Sequence, residues 1–257
     1  MASEGTRRKE PTKALPGDVS RIRLTVGGEA ALVGADTDDP GTMDWWGWAT
    51  ITEYPSVFDD DDEDDVDPER LKQDGFALST KDIGDGGLRM TILEAHGLMI
   101  DLWRVQNIYD ALDARSEDYA NFIPMFGEHG HYGELELVEE LEDLLEPGGS
   151  QVVILDRAWL APAWRGCGGV GRLLTIRLLR WLCDDPRAVA LKPFPIDLDE
   201  DQKQDEAVFR KAMTTVRRTW KSVGFQPFSD DIWVLDPRTG SYDRTVRRLS
   251  KRLGLPH

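Results

Sequence analysis

Leu160-Ala161-Pro162-Ala163-Trp164-Arg165-Gly166-Cys167-Gly168-Gly169-Val170-Gly171-Arg172-Leu173-Leu174 decides the fold of this chain, because it sets four glycines where a strand hands over to a helix. Upstream, Val152, Val153, Ile154 and Leu155 make a short apolar run suited to a buried strand that continues to Leu160. Downstream, residues 169–183 carry the apolar spacing of a helix. Glycines let the backbone turn inward, so that successive N–H groups converge. With the positive end of the helix dipole behind them, those amides form an anion site suited to a pyrophosphate. Arg165 and Arg172 flank the turn and offer charge-assisted contacts to phosphate oxygens.

Beyond the loop, residues 187–191 read as a second buried strand, closed by Pro193 and Pro195. Residues 205–222 place Phe209, Ala212, Met213, Val216 and Trp220 on one helical face, and Gly224-Phe225 leads to a last strand at 231–235. The second half is therefore strand, helix, strand, helix, strand. In the first half, a strand is expected at 21–26, followed by the aromatic segment 44–54 with Trp45, Trp46 and Trp48, read as the core of a half-buried strand. Residues 89–94 and 98–101 read as short strands around a His96-Gly97 turn. Residues 102–126 read as helical, restarting at Ser116, and 135–145 as a helix ended by Pro147-Gly148-Gly149. Residues 1–19 have no periodicity and are expected to be a disordered tail. The acidic run 59–67 lacks the spaced ligands and glycine of a calcium loop and reads as solvated. The expected class is α+β or α/β, with one domain over 20–240 and a basic helix or tail over 241–257 whose Arg244, Arg247, Arg248, Lys251 and Arg252 read as a solvated face.

The chain has 257 residues and a formal net charge of −17. Nucleic-acid binding is not expected, since it needs a Lys/Arg surface that the chain does not offer overall. An amine-bearing partner is easier to attract. Two cysteines, Cys167 and Cys183, make no disulfide framework and point to a reducing, cytoplasmic compartment. No apolar run is long enough to cross a bilayer, so no membrane is expected. His129-Gly130-His131 beside Glu128 has no further histidine or cysteine close in sequence, so no metal is expected. Cys167, likewise without a nearby histidine, reads as a small loop residue rather than a nucleophile.

Two ligand families use such a glycine loop. Gly166, Gly168 and Gly171 satisfy the dinucleotide fingerprint G-x-G-x-x-G, and the acidic Asp197 follows the next strand. In a dinucleotide fold, however, the strand runs almost directly into the first glycine, whereas here Ala161-Pro162-Ala163-Trp164-Arg165 intervenes, and too little chain follows for a full doubly wound sheet. An NAD- or FAD-dependent oxidoreductase is thus the alternative.

The same string strongly resembles the acyl-CoA-binding motif of the GNAT superfamily of N-acetyltransferases, and residues 151–236 resemble the family's C-terminal half. The resemblance implies a GNAT-like mixed central sheet flanked by helices, with an elaborated N-terminal half. It implies acetyl-CoA as co-substrate, held by the backbone of Ala158, Trp159 and Leu160 at the acyl carbonyl. Arg165, Gly166, Cys167, Gly168, Gly169, Val170, Gly171 and Arg172 would hold the pyrophosphate. The loop is one residue longer than the family pattern, and Trp220 stands where many members carry a tyrosine that protonates the departing thiolate. An indole N–H is no useful acid, which makes Ser222 a substitute candidate and keeps a non-catalytic CoA-binding protein as a further alternative. Asp156 is the candidate general base, with Asp197 second. The acceptor is a small amine or a protein amino group, and a homodimer is left open.

Overall fold

The computed structural model describes residues 13–30, 39–53, 67–84, 87–129 and 134–256. Long strands form where bulky apolar side chains alternate with small or polar ones. β1 (Arg23–Glu29) pairs antiparallel with β2 (Thr42–Glu53), and β2 with β4 (Leu88–Asp101). Between them, α1 (Pro68–Gln73), capped by the Asp67 side chain, leads to β3 (Ser79–Asp82), which also pairs with β4. Along β4, Leu93 and Ala95 join one hydrophobic cluster and Leu98 and Ile100 the other. An excursion follows on the second face: α2 (Ile108–Asp113), α3 (Glu117–Ala120), the hairpin β5 (Phe126–His129) with β6 (Leu135–Leu137), and α4 (Glu139–Glu142).

The chain returns through β7 (Gln151–Leu160), α5 (Val170–Leu182) and β8 (Pro186–Leu191). It then runs through α6 (Glu200–Gln204), α7 (Glu206–Lys221), β9 (Gln226–Pro227), β10 (Trp233–Leu235) and α8 (Gly240–Arg252). The protein is a mixed α+β structure. Its eight-stranded sheet has the order β1-β2-β4-β7-β8-β10-β9, with β3 also on β4, and is antiparallel except where β7 runs parallel to β8. α5 packs into the first cluster through Val170, Leu173, Ile176 and Leu178, with α8 laid on it. α8 is fastened by the buried Tyr242 hydroxyl, which donates to the Ile176 carbonyl at 2.6 Å, and by Arg180 to Asp243 at 2.9 Å.

Several expectations need correction. No turn breaks the chain at His96-Gly97: β4 runs straight through. Gly97 is needed because a side chain there would meet the Ile154 carbonyl oxygen at 1.9 Å, so the neighbouring strand crosses too close for a Cβ. Opposite it, Gly97 pairs with Leu155 and His96 with Arg157, leaving Asp156 as the extra residue of a bulge. Gly97→Ala is expected to lower the unfolding free energy by roughly 1–3 kcal/mol through overpacking. The measurement is the urea midpoint, and an unchanged midpoint would mean that the two strands do not approach so closely.

Residues 102–126 form two short helices and a 3-10 turn at Ile123–Met125, because the Asn107 and Ser116 side chains each cap a new start. Residues 135–145 open as β6, where the buried Leu135 and Leu137 follow a strand period, and only then turn helical. The last strand is shorter than 231–235, since Asp230 and Asp231 take positive φ angles of 46° and 63° in a turn. The proposed tail shortens too: Lys13 Nζ donates to the Ala163 carbonyl at 2.9 Å, Cys167 Sγ to that of Ala14 at 3.2 Å, and Val19–Arg21 is a 3-10 turn. Residues 1–12, most of the acidic run 59–67 and residues 130–131 of the histidine pair lie outside the described residues. Among the described residues, no helix is long and apolar enough to cross a membrane.

Candidate functional site

The glycine loop is built by a rigid approach. After β7, the 3-10 turn Pro162–Trp164 buries the Trp164 indole, whose N–H donates to the Phe76 carbonyl at 3.0 Å. Gly166, Gly168 and Gly169 then take φ angles of 77°, 65° and 96°, left-handed conformations that other residues adopt at a cost. Gly169 caps α5 without any side chain over the helix end. The first intrahelical bond runs from the Leu173 N–H to the Gly169 carbonyl, and among the described residues no backbone carbonyl accepts from the Gly169, Gly171 or Arg172 N–H. Those donors open onto a cleft of about 700 Å³. A Cβ on Gly171 would meet Leu160 Cδ2 at 2.6 Å, so the loop and β7 also close on each other at that point.

The cleft is lined by Arg165, Arg172, Arg218 and Arg252 against one acid, Asp197, in a chain whose net charge is −17. Burial first, then Arg252 and Arg248, hold the Arg172 guanidinium below its usual proton affinity. This crowding of cations at a helix N-terminus is relieved by an anion. Arg165 is turned back on the strand, its Nε donating to the Leu160 carbonyl at 2.8 Å and Nη2 to Asp197 at 2.9 Å. Asp197 is thereby paired with Arg165. Arg218 and Arg252 were not read as site residues from the sequence. The only available signal was the spacing of Arg248 and Arg252, four apart on one side of a helix in an acidic chain.

Nearly all the sequence-predicted binding residues come together here: Ala158, Trp159, Leu160, Arg165, Gly166, Gly168, Gly169, Val170, Gly171 and Arg172 all line the cleft. Cys167 does not. Its side chain is buried under the loop, with Sγ donating to the carbonyls of Ala14 and Ala163, so it neither faces a ligand nor exposes a thiol.

Beside the loop, β7 and β8 part. They are paired from Gln151 to Ile154, and from Leu155 onward β7 keeps only its other neighbour, β4. The opening holds a second, inner cleft of about 570 Å³, which shares Ala158, Asp197, Thr215, Thr219 and Trp220 with the first. Its walls are apolar along Leu155 and Leu191 on the strands and Val208, Ala212 and Val216 on α7, with the charged Asp156, Arg157, Lys192, Asp197 and Lys211 also lining it. α7 buries none of its residues fully, so its apolar face looks onto open space.

Asp156 lies on the inner cleft, aimed there by the bulge at Gly97. Burial raises its carboxyl above the usual carboxylate range, an effect that His96 (Nδ1 at 3.4 Å) and Arg157 (Nε at 3.6 Å) only partly offset. Ser222 lines the first cleft, but its hydroxyl donates to the Thr219 carbonyl at 2.7 Å and accepts from Arg172, so its proton is already committed. The Trp220 indole packs edge-on against Phe225, ring centroids 5.4 Å apart. Among the described residues, neither cleft is lined by a tyrosine, histidine or cysteine. No group of three or more metal-ligating side chains occurs among the described residues.

Fold and site thus define an α+β protein with an arginine-lined cleft at a helix N-terminus and, adjoining it, a second, more apolar cleft that carries a desolvated carboxyl. No family model matches the chain, and no curated protein or solved structure matches it.

Proposed function

We propose that the protein is a GNAT-type N-acetyltransferase that transfers the acetyl group of acetyl-CoA to a primary amine. The observation that carries this reading is the junction of two features: a glycine-loop helix N-terminus ringed by arginines, and a strand splay directly beside it. The cradle suits a pyrophosphate, because its donors are backbone N–H groups and guanidinium groups with a single opposing acid. The inner cleft suits an extended, largely apolar arm, since apolar side chains make up much of its wall and none of the described residues fills it.

In this reading the unpaired edge of β7 at Ala158, Trp159 and Leu160 polarises the thioester carbonyl through backbone N–H groups. Asp156 takes the proton of the incoming ammonium, a task helped by its desolvated, raised carboxyl. The free amine then forms the C–N bond as the C–S bond breaks. The second amine proton passes to the leaving sulfur, because Trp220 donates no acidic proton and the hydroxyl of Ser222 is committed. Ser222 instead steadies Arg172 under the phosphates. Protein in the cytoplasm has the donor at hand.

The dinucleotide reading is disfavoured by the sheet, which is antiparallel apart from one pair and so is not doubly wound. A CoA-binding protein without transferase activity is the second reading, favoured by Trp220 in place of an acidic hydroxyl. Thermal unfolding separates these. Acetyl-CoA at a hundredfold excess over its Kd is expected to raise Tm by roughly 5 °C or more, with NADH giving no shift. The reverse pattern would sink the donor assignment, and stabilisation without thiol release across an amine panel would select the non-catalytic reading.

A further inference from the structure

A third cleft, of about 840 Å³, adjoins the inner one and shares Asp156, Arg157, Lys192, Phe194 and Ile196 with it. Asp156 therefore stands at the passage between the two. The third cleft is bordered by residues of α3 and α7. Its chemistry is not that of the acidic surface of this chain.

Four acids line it, and each already has a cation. Arg157 spans Asp118 and Asp156, both at 3.6 Å, Arg217 holds Asp231 at 2.6 Å, and Arg210 holds Glu206. Lys203, also in the lining, pairs with Glu200 at 2.6 Å. Lys192 is different: it is half-buried just past the end of β8, beside the passage, and among the described residues it makes no ion pair or side-chain hydrogen bond. A second donor is also left over, since Arg217 Nε is buried with no hydrogen-bond partner. A half-buried ammonium without a counter-ion and an unsatisfied guanidinium N–H both gain from an anion. Around them the walls are aromatic: Phe122, Trp159, Phe194 and Phe209, the last two with ring centroids 5.8 Å apart.

We propose that this cleft is the acceptor site and that it takes an α-amino acid with an aromatic side chain, its carboxylate on Lys192 and its amino group at Asp156. The assignment rests on the donor reading above and deepens it. The aromatic walls take the side chain, and Lys192 orients the acceptor so that the amine faces the passage toward the β7 edge. Transfer is balanced within the pair of substrates. The ammonium gives one proton to Asp156, nitrogen bonds to the acyl carbon as sulfur leaves, and the second proton ends on sulfur. The products are the N-acetylamino acid and the free CoA thiol, and Asp156 returns its proton to solvent.

The acceptor site is tested by calorimetry on the full chain, with and without CoA, using phenylalanine and phenethylamine, which differ only in the carboxylate. Phenylalanine is expected to bind at least tenfold more tightly, Lys192→Met to erase that difference, and Lys192→Arg to keep it. Phenethylamine binding as tightly as phenylalanine, or no heat from phenylalanine in either state, overturns the proposal. So does a Lys192→Met variant that keeps the tenfold preference. Failure of the donor reading is seen separately, as absence of heat from CoA alone, and phenylalanine binding with its dependence on Lys192 stands or falls independently of it.

Discussion

Gly169→Asp is expected to raise the Kd for acetyl-CoA by at least ~100-fold, about 2.7 kcal/mol, while Tm stays within a few degrees of the parent protein. Gly169 is the N-cap of α5, with φ 96° and ψ 23°, and nothing caps the helix end beyond it. Aspartate tolerates left-handed backbone better than most residues and is a favoured N-cap, so the fold is kept. Its carboxylate would sit where the Gly171 and Arg172 N–H groups are without a carbonyl partner. A Cβ at this position comes within 2.6 Å of Arg172 Nη2, the flexible end of a side chain that can shift to pair with it, and within 3.0 Å of Leu249 Cδ2, a side-chain tip that must give by a few tenths of an ångström. The protein would then fill its own anion site, and a phosphate would meet a like charge instead of an excess of arginines. Isothermal titration reads the effect, and an unchanged Kd would remove the loop from the donor site.

Asp156→Asn is expected to lower kcat by roughly 10²–10⁴-fold with the Kd for acetyl-CoA unchanged, the range for loss of a positioned base. The same variant carries a stability signature, set by burial rather than by catalysis. Burial raises the folded-state pKa of Asp156, so the folded protein binds this proton more tightly than the unfolded chain. That contribution is present below the unfolded value and is lost as pH rises through the folded one, where the charge becomes a cost. Asparagine has no such cost. The Tm of Asp156→Asn is therefore expected to exceed that of the parent at neutral pH, with the gap closing toward about pH 3, below the usual Asp value of about 3.9. In the parent, kcat should rise with pH through the same elevated carboxyl pKa. A variant that is less stable at neutral pH, with kcat intact, would make Asp156 a structural partner of His96 and Arg157.

The second half of the chain was far more legible than the first, for reasons that individual elements make plain. β7, α5, β8 and α7 were recognisable within a residue or two, because each carries a complete local signal: an apolar run, a helical stripe, a proline stop or a glycine break. In the stretch 102–126 the restart at Ser116 was legible, but the start at Asn107 was not, because the helical spacing runs on past the caps that divide it into short pieces. His96-Gly97 misled because a glycine beside a polar residue reads as a turn, whereas this glycine serves the close approach of the Ile154 carbonyl, 57 positions away in sequence. The approach of two distant backbones leaves no mark in a local window.

The loop 165–172 divides in the same way. Its glycines, their left-handed demand and the helix that follows are properties of consecutive residues, so the strand–glycine turn–helix unit was readable from the letters alone, whereas the parallel pairing of the strands on either side of that helix was not. The remainder depended on the tertiary structure. Packing turned Cys167 inward beneath Ala14 and Ala163, brought Arg252 of α8 and Arg218 of α7 to a helix end far away in sequence, and tied the Ser222 hydroxyl to Thr219. A bulge against Gly97 aimed Asp156 into the channel, and only the ion pairs around Lys192 leave it as the unmatched cation. Backbone conformation is set over a few residues by sterics and local hydrogen bonds. The charge and burial of a side chain are set by whatever the folded chain brings within a few ångströms of it.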